Sequence, residues 1–236
     1  MKLSIVIPAH NEQDNIEDVI GRLIKTLPPE IDYEVVVVND HSTDNTQAIV
    51  EGLCGKFANL RLVNNLSEGG FANALKAGFA NLQGEIVLPV MADLCDDLSV
   101  VGKMYEKIIS GYDIVCGSRY IKGGARIGGS KFKGSLSCFA GRSINFLLGI
   151  PTHDIANAFK MYKKSVIDNI GNLCSRGFEV SMEIPLKAYF KGFKIGEVPT
   201  VWKERTRGKS SFKVIKLLPN YLKLYFWAVR KKIFGG

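Results

Sequence analysis

Short runs rich in Val, Ile and Leu alternate with longer segments of helical hydrophobic period over the first half of the chain. The runs predict strands at Leu3–Ile7, Tyr33–Val38, Leu60–Val63, Glu85–Val90 and Asp113–Cys116. The segments between them predict helices at Asn15–Thr26, Asp44–Leu53, Ala72–Leu82 and Leu98–Ser110. Because strands that are separated by helices usually pair in parallel, this order predicts a parallel sheet with helices on both faces.

Beyond Gly117 the periodic pattern is weaker. Residues 117–129 are glycine-rich and basic, helical period returns at Ser135–Leu148 and Glu179–Phe190, and Phe193–Val198 predicts a late strand. The last periodic segment is Lys213–Phe234. We therefore predict one globular domain over residues 1–211 and a separate amphipathic tail over residues 212–236.

The tail combines apolar, aromatic and basic residues. Lys216, Lys223 and Arg230 recur every seven residues and would share one face of a helix. The apolar stretch is interrupted by Pro219 and is too short to span a bilayer. This composition predicts a helix that lies in a membrane interface. A helix packed on the domain and a truncated membrane-spanning continuation are the open alternatives.

Polar clusters follow three of the predicted strands. They are Pro8–Glu12, Asn39–Ser42, and Ala92–Asp93 together with Asp96–Asp97. Open sheets of this class bind ligands beyond the carboxyl ends of their strands. The clusters therefore predict a ligand site at that edge of the sheet.

Composition limits the classes of protein that need considering. Hydrophobic residues are 46% and charged residues 23% of the 236, which is typical of a globular protein. The five cysteines lack CxxC spacing, so we expect reduced thiols in a cytosol rather than disulfides or structural zinc. Residues 1–8 enter a strand pattern directly, and no signal peptide is expected.

The net charge of +8 is unevenly distributed. Residues 201–236 contain ten Lys or Arg and one acid, Glu204, and residues 117–153 contain six basic residues and no acid. Such clusters predict an anionic partner, which is a membrane surface, a phosphorylated substrate or nucleic acid. Nucleic acid is not expected, because the basic segments contain no recognised readout module.

Eight short motifs, in order along nearly the whole chain, resemble the inverting glycosyltransferases of family 2. The similarity is to their dolichol-phosphate mannosyltransferase-like, or polyprenyl-phosphate glycosyltransferase, branch. The motifs are Val6–Glu12, Val37–Asp44, Glu68–Gly78, Ala92–Leu94, Gly117–Tyr120, Asp154–Lys160, Glu197–Pro199 and Arg205–Ser210.

The resemblance implies a fold, a reaction and a location. The fold would be of GT-A type, α/β, with a mixed, mainly parallel sheet and helices on both faces. Such an enzyme would move a hexose, mannose or glucose, from a GDP- or UDP-sugar to a polyprenyl phosphate with inversion, using Mg²⁺ or Mn²⁺. It would be cytoplasmic, peripheral on the cytoplasmic face of a membrane that it contacts through the tail.

The metal motif departs from the family pattern. The family's Asp-x-Asp is Met91-Ala-Asp93 here, so that one carboxylate is missing. Because Mg²⁺ often needs only one or two carboxylates plus substrate phosphates, we predict Asp93 and Asp97 as metal ligands, with Asp96 as an alternative. Capping of the next helix by Asp96 and Asp97 is the other interpretation.

The resemblance also assigns phosphate-binding and catalytic residues. The acceptor phosphate would contact Arg119, Lys133, Ser137, Arg205 and Ser210, with Arg207 and Lys209 as further candidates. The predicted catalytic residues are Asp93, Asp154, Arg119 and Arg205, with Asp154 holding a sugar hydroxyl or orienting a cation. The alternatives are a solvated basic face and, for Asp154, an N-cap.

The predicted nucleotide-binding residues are Pro8, Ala9, Glu12, Asn39, Asp40, Gly70 and Asp93. Carboxylates suit ribose hydroxyls and base N–H groups because they accept hydrogen bonds. First-turn placement in a helix for Glu12 and a tight turn at Gly70 are the structural alternatives. Two other functions remain open: a transferase with a hydroxyl acceptor, whose base would be Asp154 or Asp97, and a non-catalytic nucleotide-sugar-binding protein.

Overall fold

In a computed structural model, residues 1–205 and 214–235 are described, and a seven-stranded sheet forms their centre. In chain order its strands are β1 (Leu3–Ala9), β2 (Tyr33–Asn39), β3 (Leu60–Asn64), β4 (Ile86–Pro89), β5 (Ile114–Ser118), β7 (Lys160–Lys163) and β8 (Ile195–Pro199). Their spatial order is β3-β2-β1-β4-β7-β5-β8. Two further strands, β6 (Ala125–Ile127) and β9 (Val201–Lys203), form a small parallel sheet.

One strand of the large sheet runs against the others. β7 pairs antiparallel with β4 and β5, where Val87 and Ile114 both face Tyr162, whereas every other pair is parallel. The prediction of a mixed, mainly parallel sheet with helices on both faces is therefore confirmed. The sequence pattern missed β6, β7 and β9 because each has only three or four residues, contains Lys or Arg and is not a run of Val, Ile and Leu.

Eight helices surround the sheet in the described ranges 1–205 and 214–235. They are α1 (Ile16–Thr26), α2 (Thr46–Cys54), α3 (Phe71–Ala80), α4 (Val101–Ile109), α5 (Lys131–Leu148), α6 (Lys164–Asn169), α7 (Val180–Phe190) and α8 (Val214–Phe234). The predicted helices agree in place and differ by a few residues at their ends. A 3₁₀ turn at Leu98–Val100 precedes α4, and α6 was not predicted.

The sheet separates two hydrophobic cores. On β1, Ile5 and Ile7 face the core that is covered by α1, α2 and α4, whereas Val6 faces the core that is covered by α3, α5 and α7. Because both faces are buried, the strands read as continuous apolar runs rather than as alternating ones. The carboxyl ends of β1, β2 and β4 then meet at one edge of the sheet, where the polar clusters lie.

The C-terminal helix α8 packs against the rest of the molecule along one side. Ala228 is completely buried in the second core, and Asn220 donates to Glu179 Oε1 over 3.2 Å. Phe226 and Trp227 of the same helix are exposed. No helix in the ranges 1–205 and 214–235 is long and apolar enough to cross a bilayer. The division at residue 211 falls outside the described residues and stays a prediction.

Helix α3 approaches the sheet closely through Gly78. A Cβ atom at this position would collide with Cγ1 of Val6 in the middle of β1. We expect Gly78→Ala to lower the free energy of unfolding by about 1–3 kcal/mol, because overpacking forces the helix away from the sheet. Chemical denaturation of the purified protein measures this difference.

Gly21 in α1 and Gly52 in α2 provide matched controls, since a Cβ atom at either position meets nothing within 4 Å. Alanine there should stabilise the protein by up to about 1 kcal/mol through its higher helix propensity. Equal effects of alanine at all three positions would contradict the close packing at Gly78.

Candidate functional site

A cleft of about 1190 Å³ opens at the carboxyl ends of the strands. One end is polar and is lined by six of the predicted nucleotide and metal residues, which are Pro8, Ala9, Glu12, Asp40, Gly70 and Asp93. The other end runs between α5 and α8 and is largely apolar. Residues that are separated by up to about 200 positions in the sequence therefore line one continuous cavity.

Asp40 organises the polar end of the cleft. Its Oδ1 accepts from Asn65 Nδ2 over 2.7 Å, and its Oδ2 accepts from the Gly70 N–H over 2.8 Å. Gly70 has φ 142°, and a Cβ atom there would lie 3.3 Å from the carbonyl oxygen of Arg176, so both conformation and space favour glycine. This pair joins the end of β2 to the start of α3.

Asn39 has a different position from its predicted one. It is buried and does not line the cleft, because its amide nitrogen donates to Gln47 and Asn64 and its oxygen accepts from the Ser42 N–H. These bonds shape the loop that presents Asp40. Asn39 and Asp40 are neighbours in the sequence, and neighbouring residues of an extended chain point to opposite sides. Asp40 therefore lines the cleft, whereas Asn39 does not.

Glu12 lies where β1 leads into α1. Its Oε2 accepts from Asn15 Nδ2 over 2.8 Å, and its Oε1 is 3.5 Å from Nη2 of Arg205. Burial raises the pKa of Glu12, although the hydrogen bond from Asn15 and the charge of Arg205 lower it in part. A cationic or hydrogen-bonding partner therefore stabilises the charged form of the Glu12 carboxylate.

Asp93 follows β4 in a turn with an unusual backbone. Leu94 has φ 60°, a region that bulky residues rarely adopt, and the Asp93 Oδ1 accepts from the Cys95 N–H over 3.1 Å. The two other non-glycine residues of positive φ in the described chain, Asn11 and His41, follow β1 and β2. Strain of this kind concentrates at functional sites.

The next two aspartates point in different directions. Asp97 Oδ1 accepts from the Ser99 N–H and Oγ, caps the 3₁₀ turn and does not line the cleft. Asp96 does line the cleft. The capping interpretation thus describes Asp97, and nothing in its position supports Asp97 as a metal ligand. The pattern of acids alone could not separate two adjacent residues.

Asp96 is partly accessible from the cleft but is otherwise enclosed by protein. This burial, and then the negative charge of Asp93, raise the pKa of Asp96 to about 7. Burial likewise raises the pKa of the Cys95 thiol, which keeps it protonated and a poor metal ligand. Within residues 1–205 and 214–235 no group of three or more His, Cys, Asp or Glu forms a ready-made metal site.

Arg119 and Asp154 form a buried ion pair. The guanidinium donates to both carboxylate oxygens over 2.7 and 2.8 Å, and the Arg119 backbone N–H donates to Oδ2 over 3.0 Å. Burial lowers the pKa of Arg119. The charge and hydrogen bonds of Asp154 raise this pKa by more than burial lowers it, so the net shift is upward. Arg119 Nη2 also donates to Ser137 Oγ over 3.1 Å and lines the cleft.

This geometry distinguishes between the two roles predicted for Asp154. Its side chain is 0% exposed and does not line the cleft, so it neither holds a sugar hydroxyl nor caps a helix. It orients the Arg119 cation, which is the second predicted role. Glu183 is also structural, because it is buried, pairs with Lys187 over 2.6 Å and accepts from two backbone N–H groups.

The other predicted phosphate residues divide into two groups. Lys133 and Ser137 lie on α5 and line the cleft beside Arg119. Arg205 also lines the cleft, and its Nη2 donates to Asp93 Oδ2 over 3.1 Å. Ser210, and with it Arg207 and Lys209, lies outside the described residues.

The apolar end of the cleft was not predicted from the sequence. It lies between Leu136, Phe139 and Ala140 of α5 and a set of α8 side chains, namely Leu217, Leu218, Tyr221, Leu222, Tyr225 and Phe226. Phe71 and Phe178, stacked with ring centroids 4.6 Å apart, line the same cavity. One signal was available: Phe132, Phe139 and Phe146 recur every seven residues along α5 and are 69–87% exposed.

The sequence pattern of Glycosyl transferase family 2 matches residues 4–171. The chain belongs to this family. A dolichol-phosphate mannosyltransferase of Pyrococcus furiosus is 30% identical over 234 residues, which cover 96% of this chain and 64% of that protein. A polyprenol monophosphomannose synthase of Mycolicibacterium smegmatis is 27% identical over 235 residues, which cover 97% of this chain and 88% of that protein.

Solved structures of similar shape support the fold of this family 2 chain. A glucosyl-3-phosphoglycerate synthase of Mycobacterium tuberculosis, crystallised with Mn²⁺, UDP-glucose and phosphoglyceric acid, has a TM-score of 0.71 at 19% identity. The match covers 97% of this chain and 79% of that one. The predictions of family 2 and of a GT-A-type fold are confirmed. The chain spans less than two thirds of the length of the Pyrococcus relative.

The contribution of the buried Arg119–Asp154 pair to the stability of this family 2 protein can be measured. Asp154→Asn leaves the Arg119 charge buried without its counter-ion, and we expect the free energy of unfolding to fall by about 3–5 kcal/mol. Denaturant titration at neutral pH measures the loss. Asp168→Asn is the control, because the Lys164–Asp168 pair is exposed and should contribute less than about 1 kcal/mol. Similar losses in both variants would contradict a special role for the buried pair.

Proposed function

We propose that this family 2 glycosyltransferase moves a hexose, mannose or glucose, from a GDP- or UDP-sugar to a polyprenyl phosphate, dolichyl or undecaprenyl, with inversion. One observation carries the proposal: a single cleft joins an acidic strand-end site to a cationic cluster and then to an apolar groove between α5 and α8. This order matches a nucleotide diphosphate, a phosphate and a prenyl chain. The names of the Pyrococcus and Mycolicibacterium relatives agree with it.

The nucleotide end of the cleft would take the base and ribose. Pro8 and Ala9 form an apolar wall there, and Glu12 and Asp40 provide acceptors for hydroxyl or N–H groups. Gly70 is the N-cap of α3, and the first N–H groups of this helix have no acceptor within the helix and favour an anion.

A divalent cation suits the loop that follows β4. Asp93 and Asp96 face the same cleft and supply hard oxygen ligands, and Mg²⁺ commonly binds one or two carboxylates together with substrate phosphates. We therefore assign the metal to Asp93 and Asp96, and not to Asp97, whose Oδ1 is engaged by Ser99. When bound, Mg²⁺ or Mn²⁺ stabilises the charge that develops on the leaving nucleoside diphosphate.

The acceptor phosphate would bind at the cationic cluster of Arg119, Lys133 and Ser137. A phosphate monoester has a second pKa of about 6, so that it is largely dianionic at pH 7 and needs no strong general base. Its oxygen attacks the anomeric carbon from the side opposite the diphosphate, whose bond to that carbon breaks. The cations hold the oxygen in line, and the fixed guanidinium of Arg119 makes this geometry reproducible.

The alternative of a hydroxyl acceptor needs a general base, and the described residues provide neither of its candidates. Asp154 is buried under Arg119, and Asp97 is engaged in capping. A non-catalytic binding protein would not need the cationic cluster beside the apolar groove. Both observations support the phosphate acceptor.

The apolar groove would receive the prenyl chain where the protein meets a membrane. Exposed Phe132, Phe139 and Phe146 on α5 and exposed Phe226 and Trp227 on α8 lie on helices that pack together at the groove. Aromatic and basic residues in this combination bind the interface of a bilayer with anionic lipids. We therefore infer a peripheral association through α5 as well as α8, on the cytoplasmic face where nucleotide sugars are available.

Formation of the lipid-linked sugar tests the reaction. Purified protein in detergent, given a short polyprenyl phosphate, a panel of GDP- and UDP-sugars and Mg²⁺ or Mn²⁺, should form a prenyl-phosphate-hexose that mass spectrometry detects. EDTA should abolish the product, and Asp93→Ala should lower its rate by about 10²-fold or more. Release of nucleoside diphosphate only with a hydroxyl acceptor, or donor binding without turnover, would refute the proposal.

The same assay separates the two adjacent aspartates. Asp96→Asn should lower the rate by about 10-fold or more, whereas Asp97→Asn should retain most of it, because only Asp96 faces the cleft. The reverse order would restore Asp97 as the metal ligand.

Vesicle binding tests the membrane surface. We expect the double variant Phe132→Ser, Phe146→Ser to bind anionic liposomes at least about ten-fold more weakly, because each buried Phe contributes roughly 1.5–3 kcal/mol. Neither residue lines the main cleft, so transfer to a short acceptor in detergent should be unchanged. Leu66→Ser is the control, since Leu66 is 94% exposed and lies on neither α5 nor α8. An equal loss with the control variant would show that these α5 side chains have no special part.

A further inference from the structure

The Arg205 side chain lies beside two carboxylates in the cleft. Its Nη2 lies 3.1 Å from Asp93 Oδ2 and 3.5 Å from Glu12 Oε1. Asp93 comes from the loop after β4 and Glu12 from the end of β1, so that one guanidinium connects two strand ends. The side chain contacts the same carboxylate that the proposed metal would use.

The backbone before Arg205 is attached to that same loop. The Lys203 N–H donates to the Cys95 carbonyl over 2.9 Å, and the Glu204 N–H donates to Ile127 over 2.9 Å. The Glu204 carboxylate also accepts from the Gly129 N–H over 2.8 Å. These bonds fix the main chain beside Asp93, so a change of partner by Arg205 requires only a rotation of its side chain.

A guanidinium and a divalent cation compete for the Asp93 carboxylate, because two positive groups that close to one carboxylate repel each other. Arg205 remains charged at any physiological pH, so only competition for Asp93 can release it. A metal ion that arrives with a diphosphate has the higher charge and adds phosphate oxygens as ligands, which the guanidinium cannot do.

We propose that Arg205 pairs with Asp93 and Glu12 in place of the divalent cation until metal and donor bind. Its side chain then rotates and binds the phosphates in the cleft. The inference rests on the proposed function for its second half. Arginine suits both partners, because its planar fork binds carboxylates and phosphates alike. The acceptor phosphate would therefore gain a contact only after the donor is bound, which imposes donor-first order on the reaction.

Metal binding without any substrate tests the first half of the proposal. We would titrate Mn²⁺ into the full chain and follow free Mn²⁺ by electron paramagnetic resonance. Arg205→Gln should bind Mn²⁺ about ten-fold more tightly than the unaltered protein, because the competing charge is gone. Arg205→Lys keeps the charge and should stay close to the unaltered protein. Asp93→Asn should remove the added affinity from the Arg205→Gln background.

Lys203→Gln is the matched control, since it removes one positive charge two residues away, from a side chain that is exposed and does not line the cleft. Its Mn²⁺ affinity should change less than about two-fold. An unchanged or weaker affinity in Arg205→Gln, or an equal gain in Lys203→Gln, would overturn the proposal. Because no sugar or lipid is present, this outcome is independent of whether the transfer reaction is detected.

Discussion

The buried ion pair between Arg119 and Asp154 is the interaction on which the site depends. Asp154 receives three hydrogen bonds from one residue, two from the guanidinium and one from the backbone N–H at the end of β5. A carboxylate without exposure needs such complete pairing to offset the cost of its burial. The pair thereby fixes a cation at the centre of the cleft and joins the end of β5 to the segment before β7.

Around this cation the cleft changes in character from one end to the other. One end presents carboxylates from the loops after β1, β2 and β4 together with Arg205, the middle presents Arg119 and Lys133, and the far end is apolar. A nucleotide sugar and a prenyl phosphate place their hydroxyl, phosphate and hydrocarbon groups in the same order. The arrangement therefore supports the proposed transfer of a sugar from a diphosphate to a phosphate acceptor.

The acidic loop departs from the family pattern but contains a second carboxylate that faces the cleft. Met91 replaces one carboxylate of the usual pair, and Asp96 faces the cleft a short distance along the chain. The turn at Leu94, with its positive φ, brings Asp96 to the cleft. Arg205 contributes a third charge to the same place from 112 residues away. The net charge at this loop thus depends on Asp93, Asp96 and Arg205, which no single local motif contains.

The sequence by itself determined the alternation of strands and helices, the polar clusters at the strand ends and the membership of family 2, because these features depend on local period and spacing. It also predicted that the nucleotide-contact candidates lie at one edge of the sheet, and most of them line the cleft there, since parallel strands end together. Only the tertiary structure decided that Asn39 and Asp154 face inward, that Asp96 and not Asp97 faces the cleft, and that α5 and α8 form a groove. Those outcomes depend on backbone direction at single residues and on contacts between distant segments, and hydrophobic period carries no information about either.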